Sequence, residues 1–257
     1  MSTSSITESL SRAQDLLKRA RHAVALTGAG VSTPSGIPDF RSPESGLWLQ
    51  VNPFEVASLR AFCRHPEVFY DWIRPMVRLV LEALPNPAHV ALAELEQMGM
   101  LQTTITQNID GLHLRAGSSR VVEIHGHFRT ATCIRCYQRT PGEQVLDHLQ
   151  GSTGVPACQQ CGGVLKPDII LMGEQLPFAE VQASYQEARR CDLMLIAGSS
   201  LTVEPAASLP ELARQSGASL ILVNLEPTWV DPVAEIVIHA DVAQVLPELV
   251  NGLRQMS

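Results

Sequence analysis

Gly28-Ala29-Gly30-Val31-Ser32-Thr33-Pro34-Ser35-Gly36-Ile37-Pro38-Asp39-Phe40-Arg41 follows, after Thr27, on the short apolar run Ala23-Val24-Ala25-Leu26. Such a run ending in glycines reads as a buried strand entering a ligand loop. Glycine at a strand end lets backbone approach a phosphate, and the N-terminus of a following helix would favour the negative charge. The third glycine of the dinucleotide fingerprint is missing, because Thr33 stands in its place. An ordinary dehydrogenase loop does not continue into Pro38-Asp39-Phe40-Arg41 either. The segment therefore reads as a dinucleotide loop with duties beyond holding the dinucleotide.

Outward from this loop, the pattern alternates between strands and helices. Residues 7–20 have helical apolar spacing, with Thr7 as the expected cap. Residues 43–60 read as irregular, 66–83 as a helix disturbed by Pro75, and Asn86-Pro87 as the start of a helix ending near Gly99. Strands are expected over 101–106, 121–124, 169–172, 193–197, 220–223 and 236–239. Helices are expected over 178–190, 209–215 and 242–253. Alternation of this kind implies an α/β fold, a Rossmann-like, mainly parallel sheet covered on both faces. The composition shift at 127–166 marks an inserted module.

The chain has 257 residues, 45% of them apolar, which is enough for a real core and argues against global disorder. Its net charge of −7 argues against nucleic acid as the primary ligand. No apolar run approaches roughly 18 residues, so no membrane span is expected. The start, Met1-Ser2-Thr3-Ser4-Ser5, does not read as a secretory signal, and a cytoplasmic location follows as the expectation. Nothing in the pattern specifies an oligomer.

In a reducing compartment paired cysteines suggest a metal before a disulfide. Cys133-x-x-Cys136 and Cys158-x-x-Cys161 stand 21 residues apart, slightly beyond the usual gap of about 15–20, which a hairpin insertion absorbs. Two such pairs close a tetrahedron around one zinc, and four sulfur ligands leave no open position for water. The expected zinc is therefore structural, one per chain. Cys63 and Cys191 have no partner pattern and read as small hydrophobes.

Four polar clusters fall at predicted strand ends, where ligands bind in open α/β sheets. They are Thr106-Gln107-Asn108-Ile109-Asp110-Gly111-Leu112-His113, His125-Gly126-His127, Gly198-Ser199-Ser200 and Val223-Asn224-Leu225-Glu226. Asn, Asp and Gly are also turn formers, and for the first cluster the pattern alone leaves both readings open. One of the two histidines is a candidate general base, since imidazole titrates near neutral pH and four cysteines already fill the zinc shell.

The glycine segment, the first two polar clusters, the four cysteines and the last two polar clusters, in that order, resemble the sirtuins of bacterial and archaeal type, over residues 10–253. The resemblance implies an NAD-dependent protein-lysine deacylase. NAD is consumed as a co-substrate, nicotinamide leaves, and the acyl group passes to ADP-ribose. A mono-ADP-ribosyltransferase using the same cleft is the alternative. A Rossmann-like domain (1–42, 88–126, 167–257) would carry a small lobe built from a helical insertion (43–87) and the zinc module (127–166).

Residue roles follow by position from the same resemblance. Gly28, Ala29, Gly30 and Thr33 should line the diphosphate and ribose. Asp39, Phe40 and Arg41 should form a lid over the nicotinamide ribose. Gln107 and Asn108 should hold ribose hydroxyls and a water, with Asn108 also catalytic, while Ile109 and Asp110 grip the carboxamide. His125 should be the base. Gly198, Ser199, Ser200, Asn224, Leu225 and Glu226 should bind the ADP half, with Val242 against the adenine. Acyl-lysine peptide should lie extended between Met172-Gly173-Glu174 and the loop carrying Val203, Glu204 and Pro205.

Two features depart from the family pattern. Met172 stands where a phenylalanine is common, which should soften the acyl-lysine tunnel. Sirtuins that remove acidic acyl groups carry Tyr-x-x-Arg, whereas here Arg74 follows Tyr70 one residue late. One helical residue is about 100° of rotation, so Arg74 should face elsewhere and the acyl group should be neutral.

Overall fold

The computed structural model describes residues 3–39 and 51–255; Phe40 and Arg41 lie outside them. Helix α1 (Thr3–Arg19) leads into β1 (Ala23–Thr27). The helices α2 (Pro53–Val56), α3 (Leu59–Arg64), α4 (Pro66–Glu82) and α5 (Pro87–Gln97) precede β2 (Thr103–Thr106), α6 (Leu112–Arg115) and β3 (Val121–Glu123). The cysteine-bearing region holds β4 (Gly126–Cys133), β5 (Arg139–Pro141), α7 (Glu143–Gly151) and β6 (Leu165–Ile169). The chain continues through α8 (Phe178–Arg190), β7 (Leu193–Ala197), α9 (Leu209–Gln215), β8 (Ser219–Val223), β9 (Ile236–Ile238) and α10 (Val242–Gln255).

Six parallel strands form the large sheet in the order β3-β2-β1-β7-β8-β9. Taken in chain order within that sheet, this is the doubly wound order 3-2-1-4-5-6 of the Rossmann fold. The order reverses between β1 and β7, so a ligand crevice is expected beyond the carboxyl ends of those two strands. β1 is buried throughout, as a central parallel strand requires. Its alternation splits Ala23 and Ala25 from Val24 and Leu26 onto opposite faces. The first pair packs in a core with residues of α1, α5 and α10, the second with residues of α8 and α9.

A three-stranded antiparallel sheet, β5-β4-β6, anchors a third core. There Phe62, Phe69 and Tyr70 meet edge to face with centroids 5.2–5.8 Å apart, a favoured ring arrangement, and pack with Cys133 and Cys158. Residues of α3, α4 and α7 thus share one apolar interior with Cys133, Cys158 and Cys161.

Several elements differ from the sequence-based expectations. Thr7 lies inside α1, which begins at Thr3. No α-helix follows the glycine loop directly. Two single 3-10 turns stand there, Ala29–Val31 and Thr33–Ser35, the second containing Pro34 and closed by Gly36 at φ +85°. Any anion held there meets loop amides rather than a helix macrodipole. Within the stretch 43–60, expected to be irregular, residues 53–56 are helical and a second helix, Leu59–Arg64, begins. The helix α4 runs on through Pro75. The expected strand over 169–172 sits earlier, at Leu165–Ile169, and pairs with β4 in the small sheet. In contrast, α8, β7 and α9 have the expected bounds, and Asn86 caps α5 with a capping box completed by His89.

Candidate active site

A cavity of about 910 Å3 opens at the β1/β7 switch point, within the size range of small-molecule sites. The glycines there serve the meeting of two backbones. Gly30 N donates to Gly198 O at 2.9 Å, and a Cβ on Gly30 would stand 2.9 Å from the Gly198 backbone. Gly198 itself lies at φ +59°, and a Cβ there would meet Val31 N at 2.4 Å. The missing third glycine is therefore no defect: loop-to-loop packing needs Gly30 and Gly198. Thr33, by contrast, turns its hydroxyl onto Gly30 O at 3.1 Å.

The cavity gathers most of the expected residues. Gly28, Ala29, Gly30, Thr33 and Asp39 line it from the first loop, and Gln107, Asn108, Ile109 and His125 from the ends of β2 and β3. Gly198, Ser199, Ser200, Asn224, Leu225, Glu226 and Val242 line the side formed by the ends of β7 and β8 and the start of α10. Met172, Gly173, Glu174, Val203 and Glu204 line it as well. Asp110 instead faces a smaller adjoining recess with Ser32, Asn108 and Ile109. Pro205 is buried and is not among the lining residues of either cavity; its peptide bond to Glu204 is cis.

Sequence reasoning missed the apolar wall. Phe69, Trp72, Ile73 and Met76 of α4 line the cavity. Their i, i+3, i+4, i+7 spacing was the available signal. It also missed Ser32, His89 and His113, which form a buried polar network behind Asn108. The Asn86 backbone N–H donates to His89 Nδ1 at 3.3 Å, so neutral His89 carries its proton on Nε2, 3.4 Å from Ser32 Oγ. Ser32 donates to Asp110 Oδ2 at 2.7 Å, and the Leu112 N–H donates to Oδ1 at 2.8 Å.

Burial dominates the electrostatics of this network. It pushes His89 down to about 4 and His113 down to about 3, the latter helped by its neighbour His89, so both rings are neutral. It also raises Asp110 against the hydrogen bonds from Leu112 and Ser32, which hold the carboxyl down.

Asn108 is fixed from three sides. Its N–H donates to Thr106 Oγ1 at 3.1 Å, and its amide nitrogen donates to Gly28 O and Ser32 Oγ, each at 3.0 Å. Both amide protons are thus used inside the protein, leaving Oδ1 as the group for a ligand or water. Gln107 Nε2 donates to Ser199 Oγ at 2.8 Å, tying the two halves of the crevice together. His125 Nδ1 lies 3.0 Å from Gln107 O.

Away from the cavity, the Sγ atoms of Cys133, Cys136, Cys158 and Cys161 all lie within 4.8 Å of one another. Cys133–Cys161 and Cys136–Cys158 are 3.5 and 3.8 Å apart. Zn–S bonds of about 2.3 Å in a tetrahedron require S···S separations of about 3.8 Å, so the four thiols fit one zinc. Arg74 points toward this module, donating to Leu149 O at 2.8 Å, to Ser152 O, and to Gly154 O at 3.5 Å. It is not a lining residue of the cavity.

A model of the Sir2 family matches residues 28–205. The chain is 43% identical over 251 residues to an NAD-dependent protein deacylase 2 of Archaeoglobus fulgidus, covering 97% of this chain and 98% of the relative. The chain belongs to the Sir2 family. It is also 44% identical over 243 residues to an NAD-dependent protein deacetylase of Sulfurisphaera tokodaii, covering 95% of each. A solved Sir2 complex with a p53 peptide and NAD+ matches with a TM-score of 0.85 and 41% identity, over 95% of this chain and 97% of the other. The Sir2 fold here has its crevice at the switch point and its cysteine tetrad on the small sheet. Among the described residues no helix is long and apolar enough to cross a membrane.

Proposed function

We propose that this Sir2 protein removes acetyl or other neutral acyl groups from protein lysines, consuming NAD and releasing nicotinamide and O-acyl-ADP-ribose. The observation that carries this reading is the joint lining of one cavity by the glycine loop, Asn108, His125 and the Met172-Gly173-Glu174 segment. When bound, NAD supplies the ADP-ribosyl acceptor and nicotinamide as leaving group.

The chain's own residues then divide the work. Gly28, Ala29, Gly30 and Thr33 hold diphosphate and ribose, with Asp39, Phe40 and Arg41 as the lid. Gly198, Ser199, Ser200, Asn224, Leu225, Glu226 and Val242 hold the ADP half. Gln107 and Asn108 orient ribose hydroxyls and a water, and Ile109 and Asp110 grip the carboxamide. His125 takes a proton from a ribose hydroxyl, which requires its neutral form. The apolar face of α4 keeps water from the positive charge that develops on the ribose. The segments at Met172-Gly173-Glu174 and Val203-Glu204-Pro205 receive the extended peptide on its two sides.

The cysteine tetrad holds zinc as a structural element of a small lobe made of residues 43–87 and 127–166, and reduced thiolates of this kind suit a cytoplasmic setting. Incubating an acetyl-lysine peptide with and without NAD, while following nicotinamide and peptide mass, tests the reading. Loss of 42 Da is expected only with NAD, about the mass of an acetyl group less one hydrogen. A peptide that gains ADP-ribose instead overturns it.

A further inference from the structure

Lys166 is the one lysine among the described residues buried to 8% exposure, and it stands on β6. An ammonium has three N–H donors. Nζ donates to Pro167 O at 3.0 Å and to Ile169 O at 2.8 Å, and it forms an ion pair with Glu174 Oε1 at 3.0 Å. The second carboxylate oxygen of Glu174 accepts from the Leu171 N–H at 2.9 Å. Glu174 lines the cavity, yet both its oxygens are engaged inside the protein.

The segment closed by this clamp is tied to the site on two sides. Ile170 N donates to the backbone carbonyl of His125 at 2.9 Å. Met172 N donates to Ala57 O at 2.9 Å and accepts at its carbonyl from Leu59 N at 3.0 Å. Leu171, Met172, Gly173 and Glu174 all line the cavity, whereas Lys166 does not. Moving this short turn moves the wall that would receive peptide, while the NAD half, on the β7 and β8 ends, has its own anchors.

We infer that Lys166 is a positioning residue for the acyl-peptide side of the cleft, acting through Glu174 on the turn at 170–174. The inference rests on the deacylase reading above. Without Lys166 the Glu174 carboxylate loses its counter-charge in a half-buried place, and the turn leaves the geometry that presents Met172 and Gly173. The consequence is weaker peptide binding with NAD binding unchanged.

The test compares wild type, Lys166→Met, Glu174→Gln and the double variant. The readouts are the Kd of a fluorescent acetyl-lysine peptide by anisotropy without NAD, and steady-state KM for peptide and for NAD. Lys166→Met should raise the peptide Kd and KM by about tenfold or more, the scale on which small displacements act, and leave the NAD KM within about twofold. Glu174→Gln on top of Lys166→Met should recover part of the loss, because it removes the unpaired charge. Unchanged peptide Kd and KM in Lys166→Met, with only a lower melting temperature, would overturn the inference. Should Lys166→Met not fold, Glu174→Gln alone decides: a raised peptide KM at constant NAD KM supports it, and an unchanged one sinks it. Wild type that binds the peptide but does not deacylate it refutes the deacylase reading and leaves the Kd comparison decisive for Lys166. Wild type that does not bind peptide refutes both.

Discussion

His125 Nδ1 stands 3.0 Å from the carbonyl oxygen of Gln107, and a carbonyl can only accept. The ring proton of neutral His125 is therefore on Nδ1, and Nε2 carries the lone pair a general base needs. Gln107 in turn is held by Ser199, so the orientation of the His125 ring is set across the crevice. His125→Ala should lower kcat/KM for deacylation by about 10²–10⁴-fold, with little change in melting temperature. Full activity in this variant, measured by nicotinamide release, removes His125 from the mechanism.

The glycine loop and the four polar strand ends were legible because strand-end chemistry is local in sequence: each follows an apolar run. The zinc tetrad was legible for the same reason, as its spacing is its geometry. What escaped depends on distant packing. Lys166 reads as an ordinary surface lysine until β6 is placed in the small sheet. That placement is hidden by Pro167 within the strand and by an apolar run, Ile169-Ile170-Leu171-Met172, that looks like the better strand. The helix α7 was hidden between the cysteine pairs, where a polar, Gly-containing stretch shows no helical apolar pattern that stands out. His89 reads as a helix residue and His113 as the end of a polar strand-end cluster, and they become a buried network only when α5 and α6 pack behind Ser32 and Thr27.

That buried network gives a pH signature. The folded protein lowers His89 to about 4 and His113 to about 3, from 6.5 when unfolded. Between these values the unfolded chain binds more protons than the native one, so stability falls as pH falls. The contribution is fully present above about 6.5 and is progressively lost toward the folded values. Asp110, raised by burial, acts in the opposite sense, favouring the fold as it takes up its proton. Two histidines outweigh one carboxyl between pH 6.5 and 5, where the slope should reach up to about 1.4 kcal/mol per pH unit per histidine. Urea midpoints at pH 7, 6 and 5 measure it, and His113→Gln should flatten the dependence. Equal midpoints at all three values are incompatible with two neutral buried rings.

Zinc removal tests how far the core around the small sheet depends on the cysteine tetrad. Cys133 and Cys158 are buried in the same apolar cluster as Phe62, Phe69 and Tyr70, so losing the ion should loosen the α4 wall as well as the tetrad. A structural site can supply on the order of 10 kcal/mol of apparent folding free energy. Elemental analysis should find one zinc per chain. Chelation or Cys158→Ser should abolish the near-ultraviolet circular dichroism of the small lobe together with activity. A metal-free protein with unchanged spectrum and melting temperature contradicts a structural zinc.

Arg74 offers the sharpest test of acyl selectivity. Its guanidinium is spent on the carbonyls of Leu149, Ser152 and Gly154 at the end of α7, while Tyr70 is fully buried and donates its hydroxyl to Leu165 O. Neither group is presented to an acyl carboxylate, and among the described residues no Lys or Arg lines the main cavity. The described wall instead carries Asp39, Glu174, Glu204, Glu226 and Asp241 beside the apolar residues of α4. A succinyl carboxylate entering there would lose water and find no counter-charge, which is costly. Wild type should therefore remove acetyl much faster than succinyl. Arg74→Ala should lose about 1.5 kcal/mol of stability through the unpaired α7 carbonyls, yet keep the same acetyl-to-succinyl ratio. A ratio that shifts toward acetyl in this variant would mean that Arg74 reaches the acyl group during turnover.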